Sequence, residues 1–149
     1  VILNLAINAR DAIQRNGEIR ISLKKVKRGE KIMKGANEGP HIAQTHGAEI
    51  SLSDNGKGIA HEHVEKIFEP FFTTKESMDG SGFGLYNSKL FIEDHNGRIG
   101  YFSEIGKGTT FYLFLPHAES DEDGTLSSRK AKRATREFLK VRKRPDRER

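Results

Sequence analysis

Asn4 and Asn8 stand four apart in the run Asn4-Leu5-Ala6-Ile7-Asn8-Ala9-Arg10-Asp11-Ala12. On a helix that spacing places both amides on one face, one turn apart. A side-chain amide offers a neutral oxygen, which suits a hard cation such as Mg2+ that phosphates also hold. Taken alone, a polar stripe on a surface helix is the simpler explanation. A second run is Asp54-Asn55-Gly56-Lys57-Gly58-Ile59. Its carboxylate can accept a hydrogen bond from an exocyclic amine of the kind adenine carries. Gly56 and Gly58 would let the backbone approach a flat ring. An ordinary Asn-Gly turn accounts for the same residues, whereas a calcium loop does not, because acidic ligands at alternate positions are missing.

A third run, Gly80-Ser81-Gly82-Phe83-Gly84-Leu85, leads into helical spacing. Glycines before a helix expose backbone N–H groups that can cradle phosphate, aided by the helix dipole. The pattern is not the dinucleotide fingerprint, since no strand leads into it. It is not a Walker loop either, and Gly106-Lys107 is followed by Gly108 rather than Ser or Thr. A fourth run, Gly106-Lys107-Gly108-Thr109-Thr110-Phe111, reads locally as a hairpin turn.

The elements that must position these residues follow from periodicity. Val1–Gln14 has apolar residues at spacings of three and four and predicts a helix, with Gly17 as its left-handed cap. Ile19, Ile21 and Leu23 alternate with polar residues and predict a half-buried strand, as do Ile50 and Leu52 before Asp54. The two strands are expected to pair antiparallel around a Lys- and Gly-rich stretch, Val26–Ala48, read as a mobile loop insertion. A short helix is expected over His61–Phe68, a loop over Thr73–Ser81, and a long helix over Gly84–His95 capped by Asn96-Gly97. Arg98–Ser103 and Thr109–Leu115 predict two further strands, and Pro116 closes the domain. This order implies an α+β, two-layer α/β sandwich: a mixed, mostly antiparallel sheet covered on one face by helices.

Composition bounds the rest. The 149 residues contain no Cys, so neither a disulfide framework nor a cysteine metal site is available. No apolar run approaches the roughly 20 residues of a membrane span, so no membrane contact is expected of this chain. The net charge of +5 hides an asymmetry. Gly124–Arg149 holds 11 Lys/Arg against 3 Asp/Glu, a balance of +8 that leaves the remainder at −3. We read 1–116 as the domain, and 117–149 as an acidic linker followed by a solvated basic tail. Nucleic-acid contact by 129–149 is the alternative for that tail. The chain starts inside an apolar periodic stretch without a Met, as a cut within a longer protein would.

Taken in order, Asn-x-x-x-Asn-Ala, Asp-x-Gly-x-Gly-Ile, Phe68-Glu69-Pro70-Phe71-Phe72-Thr73-Thr74-Lys75, Gly-x-Gly-x-Gly-Leu and Gly-Thr-Thr-Phe resemble the nucleotide-binding boxes of histidine kinases. The wider group includes gyrase, the mismatch-repair ATPase and the heat-shock chaperone ATPase. The resemblance spans roughly Val1–Pro116 and implies ATP and Mg2+ as ligands. It implies that Asn8 holds the metal, with Asn4 beside the triphosphate. Asp54 would receive the adenine amine, with Gly56 and Gly58 against the ring and Thr109 nearby through water. It further implies a mobile lid over Phe68–Gly82, charge from Lys75 to the phosphates, and backbone contacts from Gly82, Gly84 and Leu85. Two departures stand out: Asp11 occupies a place where many of the kinases carry Lys, and the strand hairpin carries the Val26–Ala48 stretch.

One residue bears on the choice between kinase and hydrolase. The hydrolytic relatives carry Glu four residues before the metal Asn, as base on the attacking water. Asn4 stands there in this chain, and an amide has no basic site near neutral pH. The histidine kinases typically have Asn at that place. None of His41, His46, His61, His63, His95 and His117 sits in an acceptor-helix setting, so the resemblance places the acceptor on dimerisation/phosphoacceptor helices before Val1. A response regulator, reached through the parent protein, and a cytoplasmic location complete the expectation, whether or not the parent is membrane-anchored. The alternatives are a hydrolytic ATPase of the same fold and a nucleotide-regulated binding module without catalysis.

Overall fold

The computed structural model describes residues 1–14, 16–32, 41–75 and 81–117. Helix α1 spans Ile2–Ala12, and strands β1 and β4 span Ile19–Val26 and Gly47–Asp54. Between them lies a short ribbon, β2 (Lys31–Ile32) and β3 (His41–Ile42). Helix α2 spans Gly84–Asp94, and strands β5 and β6 span Arg98–Glu104 and Gly108–Pro116. The main sheet has the order β1-β4-β6-β5, and each neighbouring pair in it is antiparallel. Val1–His117 forms one compact unit. The expected linker beyond His117 and the basic tail lie outside the described residues, as does most of the loop before Ser81.

Register sorts the side chains into two faces. Ile99, Leu113, Ile50 and Leu23 form one cross-strand row, and Tyr101, Phe111, Leu52 and Ile21 form the next. Leu5 and Ala9 of α1 and Ile92 of α2 pack onto this face with Leu52, Ile99, Tyr101, Phe111 and Leu113. Helices on one face of an antiparallel sheet make the two-layer α/β sandwich.

Several local expectations change. Ile19, Ile21 and Leu23 do point to the helix side, but they are 38%, 54% and 74% exposed. They lie on the edge strand, while α1 packs chiefly on β4 and α2 on β5. Helix α1 ends with Ile13 in extended backbone, and the left-handed residue is Asn16, not Gly17. A Cβ at Gly17 would collide with the Ile13 side chain, so glycine is needed there for room. The expected helix over 61–68 is a single 3-10 turn, His61–His63, followed by turns.

The described part of the Val26–Ala48 stretch is built, not loose. β1 runs through Val26, β4 starts at Gly47, and β2 pairs with β3. Val26, Ile32 and Ala43 form a second small core with Phe114. Phe114 and Val26 belong to the face away from the helices, by the alternation that puts Leu113 toward them. The ribbon therefore covers one end of the sheet's other face. Residues 33–40 of this stretch lie outside the described residues.

Candidate nucleotide site

The third cross-strand row of the helix face is polar: Ser103 on β5 pairs with Thr109 on β6, which pairs with Asp54 on β4. Asp54 ends its strand and is 9% exposed, and Thr109 is 6% exposed. The Gly56 N–H donates to Asp54 Oδ1 at 2.8 Å and the Thr109 N–H to the same oxygen at 3.3 Å. Oδ2 accepts nothing from the described residues. Burial pushes the Asp54 carboxyl above the ordinary aspartate range, and the two backbone N–H groups pull it back only in part.

The segment after Asp54 is stapled on both sides. Lys57 N–H donates to the Ala12 carbonyl at 3.0 Å, which meets one of the orphan acceptors at the end of α1. Gly106 N–H donates to the Lys57 carbonyl at 2.9 Å. These close approaches explain the two glycines better than a flat ligand does. A Cβ on Gly56 would lie 2.6 Å from the Ala12 carbonyl oxygen. One on Gly58, at φ +72°, would run into the Glu104 carbonyl. Gly58 lines the cleft but Gly56 does not.

A cleft of about 960 Å3 opens above this row, between α1, the start of α2 and the segment from Asp54 to Lys75. That is the upper end of the range for small-molecule sites. Asn4, Asn8, Asp54, Gly58, Lys75, Gly82, Gly84, Leu85 and Thr109 all line it, so every expected site residue except Gly56 meets in one cavity. Ile59, Ile67, Leu85 and Phe111 give it an apolar wall. No ligand role for Ile59, Ile67 or Phe111 was legible in the sequence, although Ile59 and Phe111 close two of the boxes.

At the α1 end, Asn4 and Asn8 behave differently. Asn4 Nδ2 donates to the Gly84 carbonyl at 3.3 Å and to Ser88 Oγ at 3.4 Å, tying α1 to α2. Asn8 is half-buried, lines the cleft, and makes no side-chain hydrogen bond with the described residues. Lys75 Nζ is paired with Asp11, which also receives the Arg10 guanidinium at 2.7 Å. Lys75, then Arg10, hold the Asp11 carboxyl below the ordinary aspartate range. Among the described residues, the two carboxylates that line the cleft, Asp11 and Asp54, are thus both engaged by donors.

The start of α2 is open to an anion. Its N-cap residue Phe83 makes no side-chain cap, and the first turn has no acidic residue. A Cβ at Gly84 would meet nothing closer than Asn4 at 3.9 Å, so packing does not demand glycine there and the backbone stays approachable from the cleft. Gly82 is demanded: it has φ +67°, and a Cβ would collide with the Phe71 backbone.

An α/β sandwich with a cleft of this volume, lined by the Asp54 carboxylate and by the uncapped start of α2, defines a nucleotide-sized binding domain. Residues 1–119 match the family described as Histidine kinase-, DNA gyrase B-, and HSP90-like ATPase, and the chain belongs to that family. It is 40% identical over 116 residues to the sensor kinase CckA of Brucella abortus (strain 2308), covering 78% of this chain and 12% of that protein. It is 39% identical over 116 residues to the sensor histidine kinase ZraS of Escherichia coli (strain K12), covering 78% of this chain and 21% of that one. Among solved structures, the catalytic domain of histidine kinase ThkA matches with a TM-score of 0.56 and 31% identity, over 77% of this chain and 62% of that one. The chain therefore spans only about an eighth to a fifth of the curated relatives it matches.

Proposed function

We propose that this domain binds Mg·ATP in the cleft and presents the γ-phosphoryl group to a histidine imidazole on a separate phosphoacceptor helix. The observation that carries the reading is the meeting of these groups in one cavity. Asp54 offers acceptor oxygen beside an apolar wall, and Asn8 lines the same cavity as the uncapped start of α2.

Asp54 Oδ2 receives the adenine amine, and Ile59, Ile67 and Phe111 flank the ring. The N–H groups that open α2 hold phosphate oxygens, with the helix dipole favouring negative charge. The site fits a metal only in company with phosphates. No cluster of His, Asp or Glu among the described residues could hold an ion by itself. The Asn8 amide supplies one neutral oxygen, which matches an ion whose other ligands are phosphates and water. Bound there, Mg2+ would neutralise phosphate charge.

The chain's own groups then decide who attacks. Among the described residues, the two polar neighbours of Asn8 on α1 are poorly suited to deprotonate water: Asn4 is an amide committed as donor to α2, and Asp11 is held by Lys75 and Arg10. An imidazole needs no such base. Its ring nitrogen forms the N–P bond with its own lone pair while the bond from Pγ to the bridging oxygen breaks, and ADP leaves. Transfer to a response regulator through the parent protein, and a cytoplasmic, ATP-supplied location, belong to the same proposal. No helix among the described residues is long and apolar enough to cross a membrane.

The test is transfer in trans. Incubated with γ-labelled ATP and the acceptor helices of its parent, the chain should label those helices with phosphate that is acid-labile and alkali-stable. Label that is absent, or that survives acid, would exclude histidine transfer.

A further inference from the structure

The polar row beneath the cleft contains a hydroxyl that lies behind the lining residues. Ser103 does not line the cleft, yet three groups converge on its Oγ. The Ile59 N–H donates to it at 2.8 Å. It donates to the Gly108 carbonyl at 3.2 Å. Thr109 Oγ1 lies 2.9 Å away.

A serine hydroxyl has one proton and accepts two hydrogen bonds. The Gly108 carbonyl can only accept, so the Ser103 proton goes there. The Ile59 N–H fills one acceptor site. The contact with Thr109 is then made by the Thr109 proton, pointing back at Ser103. This leaves Thr109 Oγ1 with lone pairs alone to offer the cleft. The group beside it in the row, the Asp54 carboxylate, is also acceptor-only when ionised.

We propose that Ser103 is a positioning residue for base selection: by taking the Thr109 proton, it makes the base end of the cleft an acceptor-only surface. In direct contact, such a surface welcomes a purine with an amine at position 6. It opposes a purine with a carbonyl at that position, whose oxygen would face lone pairs. The inference rests on the ATP reading above and adds to it a residue outside the cavity.

The experiment compares the full chain with Ser103→Ala, Ser103→Thr, Thr109→Val and the double variant Ser103→Ala/Thr109→Val. Each is titrated with Mg·ATP and with Mg·ITP, which carries the carbonyl. Ser103→Ala frees the Thr109 proton to face the ligand, so the ATP-over-ITP preference should shrink by on the order of tenfold, the worth of about one hydrogen bond. Ser103→Thr keeps a hydroxyl and should restore most of the preference. Thr109→Val keeps Ser103 and all its other partners, and should narrow the preference as well. Adding Ser103→Ala to Thr109→Val should then change the preference no further. A purely structural role for Ser103 would lower affinity for both nucleotides alike. A wild-type ratio in Ser103→Ala or in Thr109→Val, or a further loss in the double variant, overturns the proposal. If the unmodified chain binds neither nucleotide, the ATP reading falls first and takes this inference with it.

Discussion

Burial raises the Asp54 carboxyl, and the same burial makes it a strong acceptor for an amine. A carboxyl whose folded pKa lies above its unfolded value favours the fold most at low pH, and that contribution is lost as pH rises through the raised value. At neutral pH the ionised Asp54 therefore opposes folding. Asp54→Asn should raise the melting temperature near pH 7, since Asn keeps an oxygen for the Gly56 and Thr109 N–H groups. It should weaken Mg·ATP binding by roughly 1.5–3 kcal/mol, the range for a hydrogen bond to a charged acceptor. A variant that binds ATP as well as wild type would make Asp54 only a turn residue. Asp11 gives the opposite pH sign. Its lowered carboxyl contributes stability above the ordinary aspartate range, lost as pH falls through the depressed value. Asp11→Asn removes an anion from the cleft wall and releases Lys75, so Mg·ATP affinity should rise a few-fold, about what an exposed pair is worth. Weaker binding, read by calorimetry, would mean that Asp11 aims Lys75 productively. At this scale the sequence revealed the groups but not their neighbours. Asp54 and Asn8 stand out by type and spacing, and Thr109 only through the resemblance. The sequence does not show that Gly56 and Gly58 also make room for Ala12 and Glu104. Ser103 was invisible as a site residue, because its partners are set by cross-strand register that no local pattern encodes.

Strand β1 shows the limit of alternation as a burial signal. Ile19, Ile21 and Leu23 share the helix-side face with Leu52, but alternation says which residues share a face, not whether a helix lies over them. The antiparallel pairing of β1 with β4 and the position of α2 were legible, since each rests on a period within one segment. The ribbon β2–β3 was not, because its strands are two residues each and its core borrows Phe114 from β6. Ile32 is 2% exposed in that small core. Ile32→Ala should therefore destabilise the domain by about 2–5 kcal/mol, as removal of buried methylenes does. Denaturant melts would show less than roughly 0.5 kcal/mol if the stretch were the loose insertion its composition suggests.

As a whole, the described chain is a sandwich whose cleft has residues of β4 and β6 at its floor and of two helices at its rim. The helices are linked through Asn4, whose amide reaches Gly84 and Ser88. In the proposed reading the same amide stands where a hydrolase would need a base, so one residue would bear on both architecture and chemistry. Domain membership was legible because the boxes recur in order along the sequence, and residues 1–119 match the family accordingly.

The most direct test of this account is phosphate release by the purified chain alone. With Mg2+ present it should bind ATP, and Asn8→Ala or chelation of the metal should weaken that binding. Inorganic phosphate should nonetheless accumulate no faster than in buffer, and no histidine of the chain should become labelled. Steady ATP turnover by the chain alone, abolished by Asn8→Ala, would contradict the transfer reading and put a hydrolytic ATPase in its place.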